Sequence, residues 1–287
     1  MASPHPSART LLVLGRASNL PTVWSNCFAG WVLGGGGSWR VLFQLGLGGT
    51  LLYLGGMYLN DAFDASFDRQ FRRERPIPSE AIGEPLVWQL GFAQLALGWL
   101  LLALLGWDSA LLATLLVIAV LVYDAVHKAV AFSPVLMAAC RFFLLLVAAS
   151  AGAEGVTGEG IWNAFGLAGW IVGLSYVAKR ESTTGRLQRW PLAPLALPLF
   201  FAALYNFHGE SQTRALVLAL ALVGWAAWCL RRTFQTGTRN LGLTVSGLLA
   251  GICLVDCLAV APSWGVCAVF GGLFLASLLG QRFVPAT

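Results

Sequence analysis

The chain is made of long apolar runs separated by short polar breaks. A helical crossing of a bilayer core needs about 20 apolar residues. Runs of this kind fall at roughly 10–34, 42–63, 85–106, 109–126, 134–152, 161–178, 192–207, 213–231, 240–260 and 263–281. They predict an all-α, polytopic transmembrane bundle of nine or ten helices. The seventh run is short and carries Pro191, Pro194 and Pro198. Proline removes a backbone donor, so this segment is expected to be kinked or partly re-entrant. The first run continues past the length of a signal-peptide core and reads as a retained helix. No polar stretch is long enough for a separate soluble domain. Residues 1–287 are expected to form one integral membrane domain.

Composition sharpens this picture. Hydrophobic residues make up 57% of the chain and charged residues 11%, where a soluble domain carries about a quarter charged residues. The 12 Trp and 33 Gly suit membrane interfaces and close helix packing. Cys27, Cys140, Cys229, Cys253, Cys257 and Cys267 all lie in apolar runs. They read as small buried hydrophobes, not as a disulfide framework or a metal site.

The net charge is +5. Its distribution matters more than its size. Arg69, Arg72, Arg73 and Arg75 follow the second run, and His127 and Lys128 the fourth. Lys179, Arg180, Arg186 and Arg189 follow the sixth. Arg231, Arg232 and Arg239 follow the eighth, and Arg282 the tenth. The opposite loops hold Arg40, Asp108, Glu154, Glu159, Glu210 and Arg214. The basic side is expected to be cytoplasmic, with both termini on it. The positive charge thus serves orientation and anion binding, and no nucleic-acid partner is expected.

Candidate chemistry gathers at the end of the second run, which reads YLNDAFDASFDRQFRRERPIPSEAI. Asp61, Asp64 and Asp68 are spaced i, i+3, i+7, which puts them on one helix face. Asn60 lies one turn from Asp64. Three carboxylates so close repel one another, and each loses hydration beside a membrane. A divalent cation relieves both penalties. Hard oxygen ligands favour Mg²⁺, which is commonly shared between carboxylates and a phosphate. The arginines that follow add a second anion-binding element. A solvated helix end with paired acids and bases is the plain alternative. It fits poorly with Asn60 and Asp61 following directly on an apolar run.

These residues resemble the UbiA superfamily of intramembrane prenyltransferases. Asn60 to Asp68 matches its N-D-x-x-D-x-x-x-D signature, and Arg75-Pro76-Ile77-Pro78-Ser79 matches the stretch that follows it. Arg16 and Asn19 are similar to an Arg-x-x-Asn element of the opening helix. Tyr123 and Lys128 are similar to a Tyr/Lys pair in the second cytoplasmic loop. The resemblance implies transfer of an isoprenyl group from an isoprenyl diphosphate to a small, aromatic acceptor. It implies Mg²⁺ on Asp61, Asp64 and Asp68, which with Tyr123 and Lys128 form the expected catalytic set. Asn19, Asn60, Arg72 and Arg75 are expected to bind substrate.

One departure stands out. The family's second Asp-rich motif, after the sixth helix, is here SYVAKRESTTGRLQRW, where Glu181 is the only acid. Lys179 and Arg180, beside Glu181, are expected to neutralise diphosphate where a second Mg²⁺ would sit. A divergent, EboC-like branch of the family shows this kind of change. The altered loop keeps two other functions open: a transporter or lipid carrier reusing the pocket, and a non-catalytic family member.

Other polar residues inside the runs carry weaker expectations. Asn19 and Asn26 share one face of the first run. They are expected either to line a polar cavity or to bond between helices. An Arg inside a membrane is costly and faces a cavity or an acid. Arg141 is therefore a substrate-binding candidate, with an Asp of the motif, the diphosphate or Asp256 as its partner. Asp124 and His127 are candidates for phosphate binding or proton transfer, against a merely solvated helix end. Asp256 reads as structural and His208 as inert. The Gly34–Gly37 run lacks the Lys-Ser/Thr of a phosphate loop, which excludes nucleotide binding there.

Overall fold

A computed structural model describes residues 6–179, 190–207, 209–234, 241–261 and 263–286. Among the described residues every regular element is helical. Each apolar run has become helix. The first is split into α1 (Ala8–Leu14), a 3₁₀ turn (Ala17–Asn19) and α2 (Leu20–Leu33). Then follow α3 (Trp39–Phe63), α4 (Ala65–Phe71), α5 (Glu84–Ala103), α6 (Trp107–Val126), α7 (Ser133–Ser150) and α8 (Gly158–Lys179). The seventh run is a 3₁₀ helix (Trp190–Ala196) leading into α9 (Leu197–Tyr205). Pro194 inside the 3₁₀ helix and Pro198 at the start of α9 account for its irregular entry. The chain closes with α10 (Gln212–Phe234), α11 (Leu241–Ala250), α12 (Ile252–Val260) and α13 (Trp264–Gly280).

Among the described residues, seven segments are long and apolar enough to cross a bilayer: α3, α5, α6, α7, α8, α10 and the joined α11–α12. Leu100, Leu111, Ile118, Leu220 and Leu275 point outward. An apolar surface of this extent needs a lipid solvent. The protein is an integral, multi-pass membrane protein. Four of its six cysteines, Cys27, Cys229, Cys253 and Cys257, are buried.

The inner packing explains the glycine content. α3 and α5 run antiparallel, with Gly48 and Gly55 of one against Gly98 and Gly91 of the other. A methyl group added at Gly55 would lie 2.9 Å from the Gly91 carbonyl oxygen, and one at Gly98 2.9 Å from that of Gly48. Only glycine permits such backbone approach, which maximises dispersion contacts where lipid supplies no hydrophobic drive. This tight pair fixes the height of the α3 C-terminus, where the acidic motif sits.

The turn before α2 packs against α13 and the segment after it. Ser277 on α13 donates to the Ser18 carbonyl, 3.3 Å. The segment after α13 returns toward the 3₁₀ turn, where Asn19 Nδ2 donates to the Ala286 carbonyl, 2.9 Å.

Candidate active site

The helix carrying the acids is nearly continuous. Asp64 caps α3, yet its N–H bonds to the Asn60 carbonyl (3.0 Å) and the Asp68 N–H to that of Asp64 (2.9 Å). Helical phasing is therefore kept through the joint. Asp61, Asp64 and Asp68 share one face, and all three are buried along with Asn60.

Three segments bring cations to that face. The first is the turn before α2. Arg16 adopts a left-handed backbone (φ 43°). This is a strained conformation for a side chain with a Cβ, and the bonds the residue makes hold it there. Its Nη2 reaches Asp61 Oδ1 (3.2 Å) and Asn60 Oδ1 (3.4 Å), and Tyr53 on α3 donates its hydroxyl to the Arg16 carbonyl (3.4 Å).

The second segment is the Arg75–Ser79 stretch. Ile77 is buried, in a small core with Leu14, Tyr58, Ala62, Ala65, Ile82 and Val87. Pro76 and Pro78 restrict the backbone around it. Anchored this way, Arg75 leans back over the motif, with Nη1 3.0 Å from Asp61 Oδ1 and 3.3 Å from Asp68 Oδ2.

The third segment is the end of α6. Lys128 Nζ lies 2.6 Å from Asp64 Oδ1 and 3.9 Å above the Phe67 ring. His127 Nε2 lies 3.5 Å from Asp64 Oδ2, and Tyr123 stacks on the His127 ring at 5.0 Å. Asp124 joins the cluster from the same helix: Asn60 Nδ2 donates to its Oδ1, 3.0 Å.

These contacts set the carboxylates apart. Burial alone would lift Asp64, but the hydrogen bonds from His127 and Lys128 outweigh it and hold the carboxyl below its ordinary range. Asp68 moves the other way. Burial pushes it up, the charges of Asp64 and Asp61 add to that, and Arg75 only partly compensates.

Could this face hold a metal? Among the described residues, no three His, Cys, Asp or Glu side chains form a ready cage. Mg²⁺ does not need one, because it keeps several waters and binds through one or two carboxylates plus substrate phosphates. The donor set suits that mode. Asp68 Oδ1 is buried without a partner. Both ion pairs of Asp61 fall on Oδ1, so Oδ2 is spared. The residues fit a divalent cation shared with a ligand.

The remaining expected site residues fall elsewhere. Arg72 is exposed at the end of α4, where its backbone N–H donates to the Asp68 carbonyl (2.8 Å). Asn19 is buried and bonds to the Ala286 carbonyl. Lys179, at the end of α8, spans to the α6–α7 loop, where Nζ reaches the Val130 carbonyl (3.0 Å) and Ser133 Oγ (3.3 Å). Arg180 and Glu181 lie outside the described residues. Arg141 does not reach the motif. It bonds to Asn26 and Thr22 on α2. Tyr53, which holds the Arg16 turn, was not singled out by the motifs. Its spacing from Asn60, seven residues or two turns back on the same face, was the available signal.

The sequence profile of the UbiA prenyltransferase family matches residues 18–282. Three solved structures share the fold. A UbiA homolog from Archaeoglobus fulgidus, bound to GPP and Mg²⁺, aligns with TM-score 0.55 and 14% identity over 96% of this chain and 97% of its own. An apo UbiA homolog from Aeropyrum pernix K1 aligns with TM-score 0.52 and 19% identity over 91% and 96%. A digeranylgeranylglyceryl phosphate synthase aligns with TM-score 0.54 and 14% identity over 96% and 94%. At these identities the likeness is one of fold. No curated protein sequence matches. The acidic face, its cationic surround and the family profile over nearly the whole chain lead to one assignment: this protein belongs to the UbiA prenyltransferase family.

Proposed function

We propose that the protein is a membrane prenyltransferase that moves an isoprenyl group from an isoprenyl diphosphate to a small acceptor, with its active end facing the cytoplasm. One observation carries this reading: three buried aspartates on one face are met by Arg16, Arg75 and Lys128 from three separate segments. Such an alternation of acids and cations suits a polyanion bound through a divalent metal.

Asp61, Asp64 and Asp68 would hold Mg²⁺, which when bound neutralises diphosphate charge as the allylic C–O bond breaks. Arg16 and Arg75 present guanidinium donors that can fork to phosphate oxygens. Lys128 supplies a point charge at the Asp64 end. Preorganised cations of this kind lower the cost of the departing charge. The bond broken is between the allylic carbon and the diphosphate oxygen. The bond formed is between that carbon and a nucleophilic atom of the acceptor, which loses a proton, and diphosphate leaves. Phe63 packs edge-on against Trp88, and the Phe67 ring lies under the Lys128 ammonium. Their faces help exclude water and favour a cationic allyl group. The orientation rests on the cluster of Arg69, Arg72, Arg73, Arg75 and Lys128 at this end of the bundle.

A second reading has one observation in its favour. All three aspartates are already paired with the protein's own cations, as a non-catalytic member would require. Turnover separates the two. Purified protein in lipid nanodiscs should release pyrophosphate from dimethylallyl or geranyl diphosphate only with Mg²⁺, and Asp61→Asn should abolish it. Metal-independent release, or full activity in the variant, would overturn the proposal.

A further inference from the structure

The segment that follows α13 is folded back onto the turn that carries Arg16. The end of α13 itself presses on that turn. A methyl group added at Gly280 would lie 3.2 Å from the Ser18 Cα, and Gln281 Nε2 donates to the Ser246 carbonyl on α11 (3.0 Å). These contacts fix the base of the segment. The chain then reverses, with the Phe283 and Val284 N–H groups donating to the Gly280 carbonyl (3.0 and 2.9 Å). Ala286 comes to rest buried at the turn, where its carbonyl accepts from Asn19 Nδ2.

Two features separate this contact from a structural clip. The hold is light: Arg282, Phe283 and Pro285 are exposed, Phe283 by 78%. A segment that buries so little of itself opens locally at small cost. The contact also buries polar atoms without satisfying them. Among the described residues, Ser18 Oγ and Asn19 Oδ1 are buried with no hydrogen-bond partner. A contact built for stability pairs the groups it buries, because an unmet polar atom gives up its hydration for nothing.

The landing point adjoins the acidic face. Asn19 lies three residues from Arg16, and its side chain lies against the Tyr53 hydroxyl. That hydroxyl donates to the Arg16 carbonyl, and the Arg16 side chain reaches Asp61. The amide that Ala286 takes up therefore neighbours the guanidinium that would meet a diphosphate.

We propose that residues 283–286 form a strap that gates the diphosphate site. Docked, the strap occupies the Asn19 amide and covers the Arg16 turn; released, it gives that donor to the isoprenyl diphosphate. The gate rests on the prenyl-transfer reading, while the docking of the strap does not. Strap and ligand compete for one amide, so their coupling is reciprocal. A ligand that binds the released form must shift the strap off, and a displaced strap must raise the ligand's affinity.

Trypsin reads the strap directly. The bond after Arg282 lies inside the hydrogen-bonded reversal, so it is cut when the strap opens. Release of residues 283–287, followed by mass, tracks the open population. Wild type, Ala286→Trp and a chain shortened to end at Arg282 are compared in detergent micelles. The buried place of Ala286 has no room for an indole, so Ala286→Trp displaces the strap, and the shortened chain removes it. Loss of one buried hydrogen bond corresponds to about fivefold in the equilibrium. Ala286→Trp should release the peptide about fivefold or more faster than wild type, and geranyl diphosphate with Mg²⁺ should speed release from wild type. By calorimetric titration, Ala286→Trp and the shortened chain should bind geranyl diphosphate with Mg²⁺ about fivefold or more tightly than wild type. Equal release from wild type and Ala286→Trp overturns the proposal, because the strap is then not held. Faster release with unchanged or weakened affinity in the altered chains also overturns it, and leaves the prenyl-transfer reading standing. If none of the three chains binds geranyl diphosphate, the prenyl-transfer reading falls and the gate falls with it, whatever the release shows.

Discussion

Asn60 Nδ2 donates to Asp124 Oδ1 across 3.0 Å, tying the end of α3 to the end of α6. The same amide accepts from Arg16 through Oδ1. The amide faces the carboxylate with its N–H and the guanidinium with its oxygen, which a carboxylate in its place cannot do. Asn60→Asp would set two carboxylates against each other in a buried site. The expected loss is about 1–3 kcal/mol, seen as a lower midpoint of thermal unfolding in detergent. Mg²⁺-dependent pyrophosphate release should fall at least about tenfold, since the Arg16 turn loses its seat. Unchanged turnover in Asn60→Asp would remove Asn60 from the site.

Lys128 and Asp64 make the shortest ion pair at the site, 2.6 Å. Asp64 is held below its ordinary value because the bonds from His127 and Lys128 overcome burial. A carboxyl with a depressed folded-state pKa stabilises the protein above its unfolded value, and that contribution is lost as pH falls through the folded value. Lys128→Met should therefore unfold at lower temperature than wild type near neutral pH. The gap should close as the pH falls below the ordinary value of 3.8. A gap that persists at acid pH would mean Lys128 stabilises by packing on Phe67 instead.

The α3–α5 contact predicts two opposite outcomes from two glycines on one helix. Gly55 meets the Gly91 carbonyl, whereas nothing lies within 4 Å of a methyl group at Gly46. Gly55→Val should cost about 1–3 kcal/mol or more through overpacking. Gly46→Ala should be neutral or raise stability by about 0.4–1 kcal/mol, because alanine loses less backbone entropy. Thermal unfolding of the two variants in the same detergent checks both.

Much of this architecture was legible because it follows local periodicity. The apolar runs all became helices, and the i, i+3, i+7 spacing put three acids on one face because helical bonding continues through Asp64. What local pattern could not give were contacts made between distant segments. Asn19 and Ala286 are 267 positions apart, and nothing in either neighbourhood marks the other. Charge pairing offered Arg141 an acid of the motif or Asp256. The structure interposes Asn26, because α2 packs between the helices that carry them. Arg75 was legible as part of a motif, but its position over Asp61 and Asp68 depends on where Ile77 is buried.

That dependence can be tested. The Ile77 side chain is apolar and fills the small core beneath the loop that presents Arg75. Ile77→Ala should leave a cavity and cost about 2–5 kcal/mol if the core does not collapse. If Ile77 acts through Arg75, pyrophosphate release should fall in Ile77→Ala and in Arg75→Ala, and the double variant should be little worse than Arg75→Ala alone. Residues that act as a unit are non-additive in this way. Independent effects would instead multiply. A multiplicative loss would show that Ile77 supports the site through the α3–α4 joint it also packs against, through Ala62 and Ala65, and not through the guanidinium it positions.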